Sequence, residues 1–474
     1  MDDHSTRDIW TPDQASFPAT GQTGLSPDLI RRYASVAVPR YTSYPTAPHF
    51  HGGVTGDTYR AWLAALPPGA RLSLYVHIPF CDTLCWFCGC HTKITRKYEP
   101  VAAYIAALVA EAKAIAAALP AGVEVDRIHW GGGSPTILRP DDITRLATEL
   151  AAALPYAAAP EFAIEVDPRG LTPDQVNALA SGGLTRVSIG VQDFDPQVQK
   201  AINRIQSFDE TKSVIDMFRA AGIASINIDA IYGLPGQQDA QLTHTLQRIL
   251  ELKPDRISLF GYAHVPWMKK HQSMIVEADL PDSLARHAHA ELAAAMFEAG
   301  GYRRIGLDHF ALPDDPLSIA HRDGVLTRNF QGYSADPADA IIGLGASSIG
   351  RLPQGYVQNT APIAAYMRQA LSDGIATARG YELNPEDRVR AKIIERLMCD
   401  FTFDPDDLPR ADRALSDSLT ACARDIVHDH DDHLVAPRGA GFAMTDQGRP
   451  FVRLIAARFD AHLAATQARH SAAV

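Results

Sequence analysis

Four of the six cysteines in this 474-residue chain fall within one short stretch, "HIPFCDTLCWFCGCHT", as Cys81, Cys85, Cys88 and Cys90. Thiolates ligate soft metals and carry redox chemistry. A structural zinc site closes four ligands through two separated pairs, and no second pair stands at a suitable distance. A thioredoxin-like reading of Cys85-Trp86-Phe87-Cys88 uses only two of the thiols and needs them at a helix N-terminus. Three thiolates on one short loop suit three corners of an iron-sulfur cubane and leave one iron open, to bind a small molecule and pass an electron into it. Cys399 and Cys422 lie far away on segments with helical character and read as buried apolar side chains.

The elements that must position this loop follow from hydrophobic patterning. Short β-branched runs appear at Leu72–Ile78, Val125–Trp130, Glu161–Val166, Arg186–Val191, Ser225–Tyr232 and Arg256–Gly261. Amphipathic or alanine-rich stretches separate them, including Val101–Leu119, Ile143–Ala153, Phe208–Ala221, Asp239–Leu252 and Ser283–Ala299. About six βα units in succession predict an α/β fold with a parallel sheet, curled into a partial barrel. Each run ends in polar or glycine-rich residues: "PFCDTLC", "GGGSPT", "DPR", "QDF", "GLPG" and "AHVPW". Functional groups in such folds gather at the carboxyl ends of the strands, so the six tips should face one cavity.

Two flanks differ from this pattern. Residues 1–70 hold many prolines and turn formers and read as an extended segment packed on the barrel, which with its loops spans 71–381. Residues 382–474 read as a small, mostly helical, winged-helix-like domain: a helix at Glu386–Met398, a second helix, a hairpin around "HLVAPRGAGFAM", and a last helix after Pro450. The acidic "ARDIVHDHDDH" would repel phosphates, so a structural or substrate-covering role is expected.

Hydrophobic residues make up 46% and charged residues 21%, the composition of a globular protein, and the formal charge of −11 opposes binding to nucleic acid or to an anionic membrane. The N-terminus lacks the basic-then-apolar order of a secretory signal, and no uninterrupted apolar run reaches membrane-spanning length. A cytoplasmic location is expected, where thiols stay reduced.

The C-x3-C-x2-C run on the first loop of a partial barrel, with Gly131-Gly132-Gly133-Ser134-Pro135-Thr136 at the next tip, resembles the radical S-adenosylmethionine enzymes. A narrower resemblance, to the oxygen-independent coproporphyrinogen III oxidase family, runs through "PRYTSYPTAPHF", "YVHIPFCDTLCWFCGC", "EVDPRG", "SIGVQDF", "NIDAIYGLPGQ", "GLDHFALPDDPL", "NFQGYS" and "GLGASSIG". The related heme chaperones share the loop and barrel, but their pattern typically lacks the fourth cysteine, the Asn-Arg-x-Gln run and the long N-terminal segment. This chain has Cys90, "NRIQ" at Asn203 to Gln206, and that segment.

The resemblance implies a 4Fe-4S cluster on Cys81, Cys85 and Cys88, two molecules of S-adenosylmethionine, and an adenosyl radical that starts decarboxylation of two propionates to vinyl groups in heme biosynthesis. It places Tyr75, Phe87, Gly132, Gly133, Ser134, Glu165, Gln192, Arg204, Asp229, Ala263 and Ile349 at the S-adenosylmethionine sites, with Ser134 where threonine is usual. Cys90 matches a family cysteine that is not a ligand. Cys90, Tyr75 and His77 are the catalytic candidates, although His77 reads equally as a structural residue bonded to the loop backbone. Four propionates on the substrate call for cations, with Arg40, Lys269, Lys270, Arg322 and Arg328 as candidates. An electron donor, an electron acceptor and a monomeric state complete the expectation. A heme chaperone or another radical enzyme on the same scaffold, and a zinc-binding interaction protein, are the alternatives.

Overall fold

The computed structural model describes residues 25–34, 36–409, 412–429 and 432–463. The six predicted runs form the parallel heart of one sheet in chain order: β1 Arg71–Ile78, β2 Glu124–Gly132, β3 Tyr156–Val166, β4 Arg186–Gln192, β5 Ser225–Tyr232 and β6 Arg256–Gly261. The register pairs His77 with Gly131, Glu165 with Ser188, and Asp229 with Ser258, which brings the carboxyl ends of successive strands together. A seventh parallel strand, β7 Ala340–Leu344, pairs with the free side of β1. Antiparallel strands extend both edges to a twelve-stranded sheet that stays open, so the barrel is partial.

The helices between the strands carry the apolar faces that the sheet buries. All five predicted in the barrel are present, from Glu99–Ala118 to Ser283–Ala299. A sixth, Pro173–Ser181, starts at Thr172, whose hydroxyl accepts from the Gln175 amide while the Gln175 side chain accepts from the Thr172 amide. Helix Glu99–Ala118 is long and apolar enough to cross a membrane by length and composition. Its inner face instead packs Tyr104, Ile105, Leu108, Ala112 and Ile115 into the core.

That face also buries Glu111, which accepts hydrogen bonds from the Gly345 amide, the Asn359 side-chain amide and the Tyr366 hydroxyl. Tyr104, two turns earlier, donates to the His77 carbonyl and accepts from the Ala346 amide. Together they tie the loop after β7 to the end of β1. Burial pushes the Glu111 carboxyl up to about 7 against those three donors. The folded chain therefore holds this proton longer than the unfolded one, and stability falls as pH rises from about 4.5 through 7. Glu111→Ala should remove that slope and destabilise the fold by about 3 kcal/mol, because three buried donors lose their acceptor. Denaturant melts at two pH values check both.

The flanks pack on both bodies. Helix Pro27–Ala34 buries Leu29 and Ile30 with Leu434 and Phe451, and helix Gly56–Ala64 gives Tyr59, Trp62 and Leu63 to the barrel core. Residues 25–70 are thus helical in two places, where the sequence suggested an extended segment. Tyr41 and Tyr44 enter an apolar cluster with Leu397, Phe442 and Phe459. That cluster is the core of helices Pro385–Asp400 and Arg413–Asp429, a small sheet of Thr402–Phe403, Val435–Arg438 and Gly441–Met444, and helix Val452–Ala457.

Candidate functional site

The cysteine loop leaves the end of β1. Cys81 lies in a two-residue strand whose partner pairs it with Ile94, and the Thr92 hydroxyl donates to its sulfur at 3.3 Å. Burial pushes the Cys81 thiol up, more than that hydrogen bond lowers it. Cys85 is buried, and two guanidinium groups converge on its sulfur: Arg169 Nη2 at 3.6 Å and Arg204 Nη1 at 3.5 Å. Asp167 accepts from both arginines. Burial alone would raise the Asp167 carboxyl, but Arg204 and Arg169 hold it below the usual range. The Cys90 amide donates to Cys88 Sγ at 3.4 Å, and hydrogen bonding between the two favours thiolate on Cys88 and thiol on Cys90.

Among the described residues no three His, Cys, Asp or Glu side chains gather closely enough to share one metal ion. The donor set instead suits an anionic iron-sulfur cluster: thiols spread along one loop, two cations on the most buried of them, and the buried Arg204 Nε left without a hydrogen-bond partner.

The glycine tip of β2 shapes the wall beside this loop. A Cβ on Gly131 would lie 2.7 Å from Glu165, on Gly132 2.6 Å from the His77 ring, and on Gly133 2.5 Å from the Phe80 carbonyl. Gly132 has φ +114, open to glycine and costly for other residues. Its amide donates to Glu165, which also accepts from His129 Nε2. Burial works against the Glu165 carboxylate, but His129 and the Gly132 amide hold its carboxyl below the usual range. His77 Nε2 donates to the His91 carbonyl at 2.9 Å, so Nδ1 is the acceptor for the Tyr75 hydroxyl at 3.0 Å. Burial keeps this imidazole neutral by lowering its pKa.

Tyr75, His77, Cys90, Gly132, Glu165 and Ile349 all line a cavity of about 820 Å³. The remaining residues named from the sequence sit elsewhere around the strand tips. Asp229 accepts from Ser188 and Asn227 within a smaller polar cavity that shares Tyr75 and Glu165, and burial raises its carboxyl. Arg204 also donates to the Gly190 carbonyl, beside Gln192, which adopts φ +68 at the end of β4. Ser134 pairs with Thr136, and Phe87 packs against the apolar cluster of Val198, Ile202 and Tyr262. Ala263 lines a separate cavity of about 360 Å³ together with Arg40.

The cation candidates also scatter. Arg328 lines the large cavity and stacks on Tyr333, Lys269 donates to the Cys90 carbonyl, Lys270 is exposed, and Arg322 is exposed and paired with Asp323. Three cations that sequence reading passed over line the large cavity: Arg351, Arg388 and Lys392. The last two are one turn apart on helix Pro385–Asp400, a spacing that could have marked them. Asp167 and Arg169 were visible only as the strand tip "DPR".

Comparison with known proteins agrees with this geometry. Residues 75–249 match the profile of the Radical SAM superfamily. The oxygen-independent coproporphyrinogen III oxidase of Bradyrhizobium diazoefficiens is 47% identical over 94% of this chain and 99% of that relative. The enzyme of the same name from Paracoccus denitrificans is 46% identical over 92% of this chain and 96% of its own length. The solved structure of coproporphyrinogen III oxidase from Escherichia coli, described as a Radical SAM enzyme, superposes with a TM-score of 0.84 at 38% identity, covering 90% of this chain and 98% of that one.

Proposed function

Since the chain belongs to the oxygen-independent coproporphyrinogen III oxidase family of the Radical SAM superfamily, we propose how its residues divide the family's reaction among them. The reaction converts two propionate side chains of coproporphyrinogen III to vinyl groups without oxygen and yields protoporphyrinogen IX. The carbon–hydrogen bond that must break is unactivated toward any side-chain acid or base, so a cofactor supplies the chemistry. A 4Fe-4S cluster and S-adenosylmethionine, when bound, provide the adenosyl radical that removes this hydrogen atom.

Cys81, Cys85 and Cys88 hold the cluster in this reading, and Arg169 and Arg204 stabilise the anionic sulfur of Cys85 by charge-assisted hydrogen bonds. The observation that carries the assignment is this pair of guanidiniums on a buried thiol at a strand tip. Cys90 faces the large cavity and is left outside the ligand set in this reading. Glu165 and the Gly131–Gly133 backbone receive S-adenosylmethionine: the glycines let the ligand approach the chain closely, and the carboxylate accepts from its amino group or ribose. A second molecule is assigned by the family resemblance to the residues that remain, Asp229, Gln192, Arg204, Phe87, Ser134 and Ala263, which stand in several different surroundings around the tips.

Tyr75 and His77, locked in one tautomer, form a neutral wall between cofactor and substrate. The substrate occupies the large cavity, with its propionates directed to Arg328, Arg351, Arg388 and Lys392. Enclosure by helix Pro385–Asp400 aligns the target carbon and keeps solvent away. Loss of CO₂ leaves one electron on the product side, which leaves with an acceptor.

Anaerobic incubation of reconstituted protein with S-adenosylmethionine, a reductant and coproporphyrinogen III tests the reading. Methionine, 5′-deoxyadenosine and a divinyl tetrapyrrole should appear together. The first two without the third would point to another radical enzyme or a heme chaperone.

A further inference from the structure

We propose that Arg40, Arg328 and Arg453 form a buried anchor for one propionate of the tetrapyrrole, a propionate that the reaction leaves intact. The proposal rests on the assignment of the large cavity to the substrate and adds which kind of carboxylate is held fastest, and by which residues.

The three side chains converge from distant parts of the chain. Arg40 precedes Tyr41 in the N-terminal segment, Arg328 lies in the short strand Thr327–Asn329, and Arg453 belongs to the helix Val452–Ala457. Arg328 lines the large cavity, whereas Arg40, Asp308 and Arg453 line the cavity of about 360 Å³. The two cavities lie back to back: Tyr41 and Phe260 face the large one, and their chain neighbours Arg40 and Gly261 face the small one. Arg328 on one side and Asp308 on the other are 4.0 Å apart, so the wall between the cavities is there a single ion pair thick.

This wall holds more positive charge than it neutralises. Asp308 is the carboxylate that faces all three guanidiniums, and it already accepts from His309 Nδ1 at 2.7 Å. The Arg328 side chain is 5% exposed, and its Nε and Nη1 have no hydrogen-bond partner. Its face rests on the Tyr333 ring, 4.4 Å from the centroid, so an acceptor for those N–H groups must approach from the edge. The hydrogen bond that Arg40 makes, from Nη2 to the Gly261 carbonyl, is long at 3.4 Å. Burial, together with Arg40 and Arg328 nearby, pushes Arg453 down to about 10. Arg304 in the small cavity is matched by Glu291 at 3.3 Å, while Arg286, over the Tyr232 ring, adds to the excess.

Buried guanidiniums in excess are costly unless an anion joins them. A carboxylate fits the need: its two oxygens accept from a guanidinium fork through parallel bonds, and its charge offsets the repulsion among the three arginines. The tetrapyrrole in the large cavity carries such groups on short flexible arms. Tyr75, His77 and Gly132 line the large cavity and not the small one, so a propionate drawn into this wall is held apart from the reactive tips. Loss of CO₂ there would strand the guanidiniums again, which opposes reaction at that group.

The test titrates the full-length holoenzyme, kept anaerobic, with two porphyrins and reads their fluorescence. Coproporphyrin III carries all four propionates, and protoporphyrin IX only the two that survive the reaction. Arg40→Gln and, separately, Arg453→Gln should each weaken both porphyrins about 10-fold or more, and Arg40→Lys should recover part of the loss, because it restores the charge without the fork. Each Gln variant relieves repulsion, so neither should lower the melting temperature of the ligand-free protein, and calorimetry should find wild-type affinity for S-adenosylmethionine. If Arg453→Gln does not fold, the half-buried Arg40 decides alone. Wild-type affinity for both porphyrins in the Gln variants overturns the proposal, and a loss confined to coproporphyrin III overturns its claim that the propionate is a retained one. A lower melting temperature in both variants contradicts the charge excess on which it stands. Lost S-adenosylmethionine binding with porphyrin affinity intact would give the arginines to the cofactor, and inorganic phosphate binding that Arg40→Gln abolishes without touching porphyrin affinity would make them a general anion site; either result sinks the anchor. If the wild type binds neither porphyrin, the assignment of the large cavity itself fails, and the anchor with it.

Discussion

Cys85→Ser should yield a folded chain that loads little iron and turns over no substrate. Cys85 is the buried thiol of the three, and Arg169 and Arg204 are both aimed at its sulfur. A serine hydroxyl at that position remains protonated and is a hard, weak ligand for iron, so the two guanidiniums would face a neutral group, with Asp167 left as the anion they share. Removing an outer partner of a metal ligand costs roughly 10- to 100-fold in affinity or activity, and removing the ligand itself should exceed the upper end of that range. Cys90→Ser is the contrast. It should keep its iron, because Cys90 stands outside the proposed ligand set. Iron and sulfide analysis with visible absorbance of anaerobically purified protein separates the two variants, and wild-type iron in Cys85→Ser would contradict the assignment.

Gly132→Ala should be nearly as damaging by a different route. At φ +114 an alanine carries about 1–3 kcal/mol of backbone strain. Its methyl would also sit 2.6 Å from the His77 ring, which cannot swing aside because the Tyr75 hydroxyl and the His91 carbonyl hold its two nitrogens. Relief by turning the peptide would break the hydrogen bond from the Gly132 amide to Glu165 and open the wall of the proposed S-adenosylmethionine site. The expected result is a fall in S-adenosylmethionine affinity of at least 10-fold, about 1.4 kcal/mol, together with a lower melting temperature. Gly52→Ala, where nothing lies within 4 Å, should change neither. Calorimetric titration with S-adenosylmethionine measures the difference, and equal affinity in Gly132→Ala and wild type would remove the glycine tip from the binding site.

The parallel heart of the fold is legible because its strands carry aliphatic residues in strand-like patterns: β4 alternates buried Val187, Ile189 and Val191 with half-buried neighbours, while β5 and β6 are each buried over three successive residues. β5 and β6 begin and end where the pattern says. β3 begins at Tyr156 and not Glu161, because alanines at its start carry no strand signal. β7 escapes notice for a different reason: "AIIGL" is five residues long and lies far beyond β6 in sequence, and only the three-dimensional neighbourhood of β1 makes it a parallel strand.

The same limit applies at the site. The cysteine loop and the glycine tip announce themselves by composition, whereas the groups that hold them do not. Glu111 and Tyr104 look like ordinary members of an alanine-rich helix until the Gly345 loop folds onto them. Arg169 acquires meaning only once β3 sets its tip beside Cys85. The cations at the large cavity follow the same logic, since Arg351 and Lys392 come from a hairpin strand and a C-terminal helix that meet only in the fold.

At the centre of the proposed function stands a cluster held by three thiols of one loop, with an iron open to S-adenosylmethionine. Mössbauer spectroscopy of ⁵⁷Fe-reconstituted protein measures this most directly. On addition of S-adenosylmethionine one iron of the cubane should change its isomer shift while the others keep theirs, as expected for a single site without a cysteine. A spectrum that S-adenosylmethionine leaves unchanged, with every iron equivalent, would contradict it.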